Sequence, residues 1–427
     1  MGRAKYRYSM FGMVSRAAIS VLAIAFVLLA ITMQVAQAQT LTVLHDFTGK
    51  LDGGVPLAGL TMDKAGNLYG TTDSGGVVNA GGVFKLSKKG TGWVFNPLYS
   101  FAGGADGGYP MARVILGPDG TLYGTTDAGG MGGCYGGFGC GTVFNLRPQP
   151  RACTAALCPW TKTVLYRFTG GADGGNPGNA DLNFDAAGNL YGTTSVGGVG
   201  NCSGSTCGVV YKLTPANGTW TESVLYSFTG GDDGGNPSGG IIFDQSGNMY
   251  GVTENFGAAG RGTVYELTPS GSGWTESTLY SFQPTAGKNP LGNLIFDAAG
   301  NLYGTTVHGF EMLDNGGSVY ELTDSNNNWM RSKQWTFTGS AGPGSGVILD
   351  AAGHLYGTTI GDGQYLSGSV FELSPDFRKL TTLHDFTDGS DGGYPYSSVL
   401  LDANGNLYGT TAFGGGSGNG VVFEITP

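Results

Sequence analysis

One tetrapeptide, Tyr69-Gly70-Thr71-Thr72, returns at 123–126, 191–194, 303–306, 356–359 and 408–411, and a worn copy, Tyr250-Gly251-Val252-Thr253, completes seven. Self-similarity at a period of roughly fifty to seventy residues marks a tandem array, whose units bury their apolar faces only against one another. The clearest unit runs from 239 to 282. Gly240-Ile241-Ile242-Phe243 is a short apolar run closed by Asp244-Gln245-Ser246-Gly247-Asn248. The Asp side chain accepts turn N–H groups there, and glycine takes the positive φ of a tight hairpin. Residues 249–253 form the return strand, 263–267 a third, and Thr268-Pro269-Ser270-Gly271 turns the chain into a fourth that ends at Leu279-Tyr280-Ser281-Phe282. No helical period is sustained after the first forty residues, so the chain is all-β.

Four-stranded units in tandem predict a β-propeller, in which radial repetition leaves only short, protected edges. A Gly-rich parallel β-helix is the rival, but its coils are usually shorter and lack two hairpins per unit. The chain ends settle the blade count. Residues 41–47 (Leu-Thr-Val-Leu-His-Asp-Phe) nearly repeat 380–386 (Leu-Thr-Thr-Leu-His-Asp-Phe), a fourth strand, whereas the chain stops in a third strand at 421–425. The expectation is a single seven-bladed β-propeller over 39–427, its last blade closed by the N-terminal strand in a 3+1 arrangement.

Ahead of it, Arg3, Lys5, Arg7 and Arg16 precede an apolar run from 17 to 33 and an Ala36-Gln37-Ala38 cleavage pattern. That is the layout of a signal peptide spanning 1–38, with an uncleaved anchor as the alternative. No hydrophobic tail precedes Pro427, so a secreted or periplasmic product without membrane insertion is expected, as a monomer. Losing the leader leaves 17 Lys and Arg against 31 Asp and Glu, a net charge of −14. Such a surface repels phosphate backbones, which argues against nucleic acid and leaves cations, carbohydrate or protein as ligands. Six cysteines in an exported chain read as disulfides, and spacing favours Cys134–Cys140, Cys153–Cys158 and Cys202–Cys207. A metal site is the competing reading of these cysteines.

In a propeller the loop leading into the first strand and the loop joining strands two and three share one face. The lead-in loops repeat Asp-Gly-Gly-x-Pro at Asp106, Asp173, Asp233 and Asp391, with a variant at Asp52. These carboxylates either cap the turns or form an acidic ring offering oxygen ligands to Ca²⁺, with Tyr109 and Tyr394 as sugar-stacking surfaces. Four residues before the first hairpin turn stand Gly59, Arg113, Asp181, Gly240, Asn293, Gly346 and Ser398; Arg113 and Asp181 break the pattern at the channel as an ion pair or a binding site. Blades four and five gather Glu254, Arg261, His308, Glu311 and Asp314 on the same face. Glu254, His308 and Glu311 are the catalytic alternative, as an acid/base or metal set.

The whole unit, Asn-Leu-Tyr-Gly-Thr-Thr…Gly-Gly…Gly-x-Val-Phe-x-Leu, resembles the bacterial GloVer repeat family, named after Gloeobacter and Verrucomicrobia, over residues 41–427. The resemblance implies an exported protein of the choice-of-anchor kind and carries no assigned activity. A more distant likeness, in Asp-x-x-Gly-Asn-Leu-Tyr, is to streptogramin-lyase and gluconolactonase propellers and transfers no catalytic residue. The function expected is a non-catalytic binding or scaffold module for carbohydrate or protein; the alternative is a metal-dependent lyase or hydrolase acting on a sugar or lactone.

Overall fold

The computed structural model describes residues 39–427 except 150–159, 179, 284–286, 310–315 and 327. The expected signal peptide, Glu311, Asp314 and the expected Cys153–Cys158 pair therefore lie outside the described residues. Seven four-stranded antiparallel sheets follow one another along the chain. The first blade holds Thr61–Met62, Leu68–Thr72, Gly82–Lys89 and Gly92–Ser100. Five more span 115–167, 183–227, 235–281, 288–336 and 348–385. The seventh combines Leu400–Leu401, Leu407–Thr411 and Val421–Thr426 with the N-terminal strand Thr40–Asp46, which lies beside Val421–Thr426. The expected 3+1 closure is present, and Phe47 N donates to Gly420 O at 3.0 Å to extend it.

Each letter of the repeated tetrapeptide has a structural duty. The tyrosine hydroxyl donates to the hairpin Asp in all seven blades, as in Tyr69 to Asp63 at 3.0 Å and Tyr303 to Asp297 at 3.1 Å. In five blades the same Asp accepts the Asn side chain two residues before that tyrosine, as in Asn67 to Asp63 at 2.7 Å; Thr121 and His354 take that place in the other two. These donors hold its carboxyl below the usual carboxylate range against the opposing effect of burial. The glycine clears room for an aromatic ring from strand three. A Cβ at Gly70, Gly124 or Gly357 would sit 2.5–2.7 Å from the ring of Phe84, Phe144 or Phe371. The first threonine ties its blade to the next: Thr71 donates to Ala112 O at 3.1 Å, Thr358 to Ser397 O at 2.7 Å, and Thr410 to Ala58 O at 2.9 Å across the ring closure. Thr125 lacks such a partner, and the blade it faces has one extra residue between Pro177 and Asp181. The second threonine meets the first residue of strand three, as in Thr126 with Thr142 at 2.8 Å.

The core lies between blades. The strand-three ring packs against the outer-strand phenylalanine of the preceding blade, with centroids 5.0–5.3 Å apart, through Phe101–Phe144, Phe168–Tyr211, Phe228–Tyr265, Phe282–Tyr320, Phe337–Phe371 and Phe386–Phe423. Phe47–Phe84, at 5.3 Å, is the seventh pair and uses the N-terminal strand. The innermost strands differ from the simple expectation. Five of them are regular for only two residues, whereas Gly235–Phe243 and Lys288–Phe296 run for nine with shifted register. Near the axis much of this backbone bonds to the neighbouring blade's threonine rather than to its own sheet.

Of the expected disulfides, Cys134–Cys140 and Cys202–Cys207 form. Both lie in loops joining strands two and three, in neighbouring blades.

Two stability predictions follow from the interblade pairs. Phe47 is fully buried, so Phe47→Ala is expected to lower unfolding free energy by about 3–5 kcal/mol in urea melts. An unchanged midpoint would mean that the N-terminal strand does not hold the ring. Tyr211, Tyr265 and Tyr320 are fully buried with hydroxyls that have no hydrogen-bond partner, where four blades carry phenylalanine. Removing one orphaned hydroxyl with Tyr265→Phe is expected to raise stability by about 1 kcal/mol or more.

Candidate functional site

The lead-in loop and the loop joining strands two and three share one face, bridged at Gly54–Ser74, Gly108–Ala128, Gly175–Val196 and Gly393–Phe413. On this upper face the axial channel opens into a cavity of about 470 Å³; a second, of about 360 Å³, lies toward the hairpin face. Both are lined by Arg113, Asp181, Asn293 and Ser398, which form the channel's waist.

Arg113 and Asp181 do meet. The guanidinium lies 3.0 Å from Asp181 Oδ2, Arg113 N donates to Oδ1 at 3.0 Å, and Asn293 Nδ2 donates to Oδ2 at 2.7 Å. Asn293 belongs to blade five and Asp181 to blade three, so this contact passes over blade four. Gly240 permits it: its N donates to Asn293 Oδ1 at 2.6 Å, and a Cβ there would lie 2.5 Å from Asp181 O. Arg113, Asp181, Asn293 and Gly240 thus form one hydrogen-bonded chain at the waist, in which the charges of Arg113 and Asp181 neutralise each other.

The Asp-Gly-Gly carboxylates sit elsewhere. Asp173 accepts Thr169 N at 2.9 Å, the Thr169 hydroxyl at 2.5 Å and the Tyr166 hydroxyl at 3.1 Å. Asp233 repeats this with Thr229 and Tyr226. Asp52 and Asp391 bind Thr48 and Thr387, with His45 and His384 at 3.3 and 3.0 Å replacing the tyrosine. Asp106 takes Ala102 N, Tyr99 and Lys162. Each carboxylate thus clasps its own loop to an outer strand, which is the turn-capping arrangement. In that loop the first glycine takes positive φ and stands against the second threonine of the tetrapeptide: a Cβ on Gly107 would lie 2.6 Å from Thr126 Oγ1. Tyr109 and Tyr394 follow with positive φ at the rim; Tyr109 is exposed, and Tyr394 meets Phe413 edge-on at 5.8 Å.

Glu254 lines the upper cavity, and burial alone raises its pKa. Burial, then the charge of Lys288, lowers that of His308. Among the described residues no three His, Cys, Asp or Glu side chains gather as a metal-holding group.

Two acids went unnoticed in the sequence. Trp160-Thr161-Lys162-Thr163, Trp220-Thr221-Glu222-Ser223 and Trp274-Thr275-Glu276-Ser277 are equivalent outer-strand segments. Lys162 reaches Asp106 O and, at 2.8 Å, Asp106 Oδ1, with its ammonium over the rings of Tyr99 and Phe101. Glu222 and Glu276 take the same place beside Asp173 and Asp233. Burial, then the neighbouring aspartate's charge, pushes each up to about 7. The lysine–glutamate exchange in that four-residue frame was the available signal.

Residues 30–203, 132–342 and 277–427 match the model of the Gloeobacter/Verrucomicrobia repeat. The chain belongs to that repeat family. No curated protein matches it. Among solved structures it is similar to a candidate oxidoreductase (glucose dehydrogenase) of Thermus thermophilus, at 14% identity over 91% of this chain and 100% of the other, TM-score 0.44. A protein of unknown function from Dyadobacter fermentans matches at 13% over 91% and 98%, TM-score 0.47. A candidate 6-phosphogluconolactonase of Bacteroides uniformis matches at 15% over 77% and 84%, TM-score 0.47.

The outer-strand acids carry a pH prediction. A native pKa near 7 against the ordinary 4.5 means that the folded state binds the proton more tightly. Stability from this source is complete below about pH 4.5 and falls as pH rises through 7. Glu222→Gln is therefore expected to raise the melting temperature at pH 8 and to leave it nearly unchanged at pH 4.5. Glu222→Lys, which copies the Lys162 arrangement, should stabilise at pH 8 as well. A Gln variant with the same gain at both pH values would contradict the burial argument.

Proposed function

We propose that this chain is an exported, non-catalytic binding module that docks a basic protein surface on the channel face. The observation that carries this reading is where the large exposed apolar side chains fall. Val77 and Val78 of blade one, Met131 and Phe138 of blade two, Val199 of blade three, Tyr365 and Leu366 of blade six and Phe413 of blade seven all stand on loops between strands two and three. Leu51 and Tyr109 add to them from lead-in loops. Among the described residues only Val94, Val224 and Met330 are comparably exposed elsewhere, on outer strands, and none is on the hairpins of the opposite face. Apolar tips grouped on one face mark an interaction surface.

Charge supplies the partner's chemistry. Asp73, Asp127, Asp232, Glu254, Asp362 and Asp388 join the five clasp aspartates on the upper loops, against Lys50, Arg167, Arg261 and Lys288. On the opposite hairpins Lys64, Lys88, Lys89, Arg378 and Lys379 offset much of the charge of the seven hairpin aspartates, Asp324 and Asp376. Aliphatic tips in an acidic field suit a basic, partly apolar protein better than a glycan, which favours aromatic platforms. Export is supported by the leader pattern and by the two disulfides.

The test compares the protein with Val78→Ser/Phe138→Ser/Tyr365→Ser and with a hairpin-face control, Arg378→Ser/Lys379→Ser. Proteins retained from the producing organism's exported fraction are identified, purified and titrated against each version. The expected result is a basic partner whose binding weakens with salt, weakens at least about tenfold in the apolar-tip variant, and is unchanged in the control. Equal binding to all three versions, or a partner of net negative charge, would overturn this reading.

A further inference from the structure

Beneath that rim, the upper cavity has a chemistry of its own. We propose that it binds a small ligand carrying a protonated primary amine on a hydroxylated, sugar-sized body. The site lies beneath the docking rim and shares Glu254 and Phe413 with it; its test reads sugar binding on the unaltered protein and so stands or falls apart from rim docking.

Three charged residues line this cavity: Arg113, Asp181 and Glu254. Arg113 and Asp181 neutralise each other in the waist. Glu254, from the end of strand Met249–Asn255, is left over. Its backbone carbonyl accepts Asn289 Nδ2 at 3.3 Å, but its carboxylate has no hydrogen-bond or ion-pair partner among the described residues. Segments 284–286 and 310–315 contain no Lys, Arg or His that could supply one. At the equivalent position the other blades carry Asp73, Asp127, Ser195, Val307, Ile360 and Ala412, and none of these lines the cavity. Among the described residues the cavity therefore holds one uncompensated negative charge, partly stripped of water. Desolvation is the one influence acting on this carboxyl, and it raises its pKa. A ligand cation would restore the lost solvation, so a single positive charge is the complement.

The rest of the lining suits hydroxyls and a ring. Ser345 and Ser398 present hydroxyls, and Ser398 stands at the waist. Tyr396 and Phe413 come from blade seven, across the channel from Glu254 on blade four. Phe413 is 41% exposed and edge-on to Tyr394, which leaves its ring available. A volume of about 470 Å³ lies within the usual range for small-molecule sites and combines apolar walls with few polar groups, as such sites do. Glu254 sets the charge, and the serines and aromatic wall set the body.

The test is calorimetric titration at neutral pH with D-glucosamine, D-glucose and N-acetyl-D-glucosamine. The three share a ring and differ in whether position two carries an ammonium, a hydroxyl or a neutral amide. Glucosamine is expected to bind at least tenfold more tightly than the other two. Glu254→Gln, whose melting curve without sugar reports its folding, should lose that preference. Phe413→Ala should weaken the binding of glucosamine. Equal affinity for the three sugars, no measurable glucosamine binding, or an unchanged preference in Glu254→Gln would overturn the proposal. The sugar comparison on the unaltered protein decides the matter even if a variant misfolds.

Discussion

Everything in this ring depends on an aromatic side chain whose tip closes against a glycine. In each blade the strand-three ring covers the strand-two glycine of Tyr-Gly-Thr-Thr and reaches the outer phenylalanine of the preceding blade. Aromatic pairs of this geometry are worth about 0.5–1.5 kcal/mol each beyond the area they bury. Because the pairs run around a closed ring, the Phe47–Phe84 contact is needed to complete them. The N-terminal strand is thus both the seventh blade's outer strand and the source of the last interblade contact. A methyl group at the glycine would move a ring that two blades share.

The repeat divides its labour by position. Residues that recur in every blade hold local geometry: the hairpin Asp and its tyrosine, the threonine reaching the next blade, the clasp aspartate and its outer-strand hydroxyl. Once these groups are paired they have little left to offer a ligand. Chemistry sits where a blade departs from the pattern. Arg113, Asp181 and Asn293 share one register position in three blades and close a polar waist, and Glu254 supplies charge where three other blades have an apolar residue. Lys162 and its counterparts Glu222 and Glu276 show the other outcome: one framework accepts either sign of charge, and burial makes the acid carry a proton near neutrality.

Strand order, hairpin turns, blade number and the split last blade were all legible in the sequence. Each depends on neighbours within one unit, or on two segments that repeat each other nearly letter for letter. Turn chemistry is local, and a fourth strand at one end demands a third at the other. What the tertiary structure alone decided is which carboxylates are spent and which are free. Asp106, Asp173, Asp233 and Asp391 look like an acidic ring in sequence, yet their oxygens point to outer strands and loop amides. Asp181 and Asn293 are 112 residues apart and meet because Gly240, in the blade between them, has no side chain. Among the described residues the Glu254 carboxylate stands without a partner, for a reason no spacing encodes. A carboxylate's freedom depends on which donors the closed ring brings within about 3 Å, and that distance exists only once seven blades share an axis.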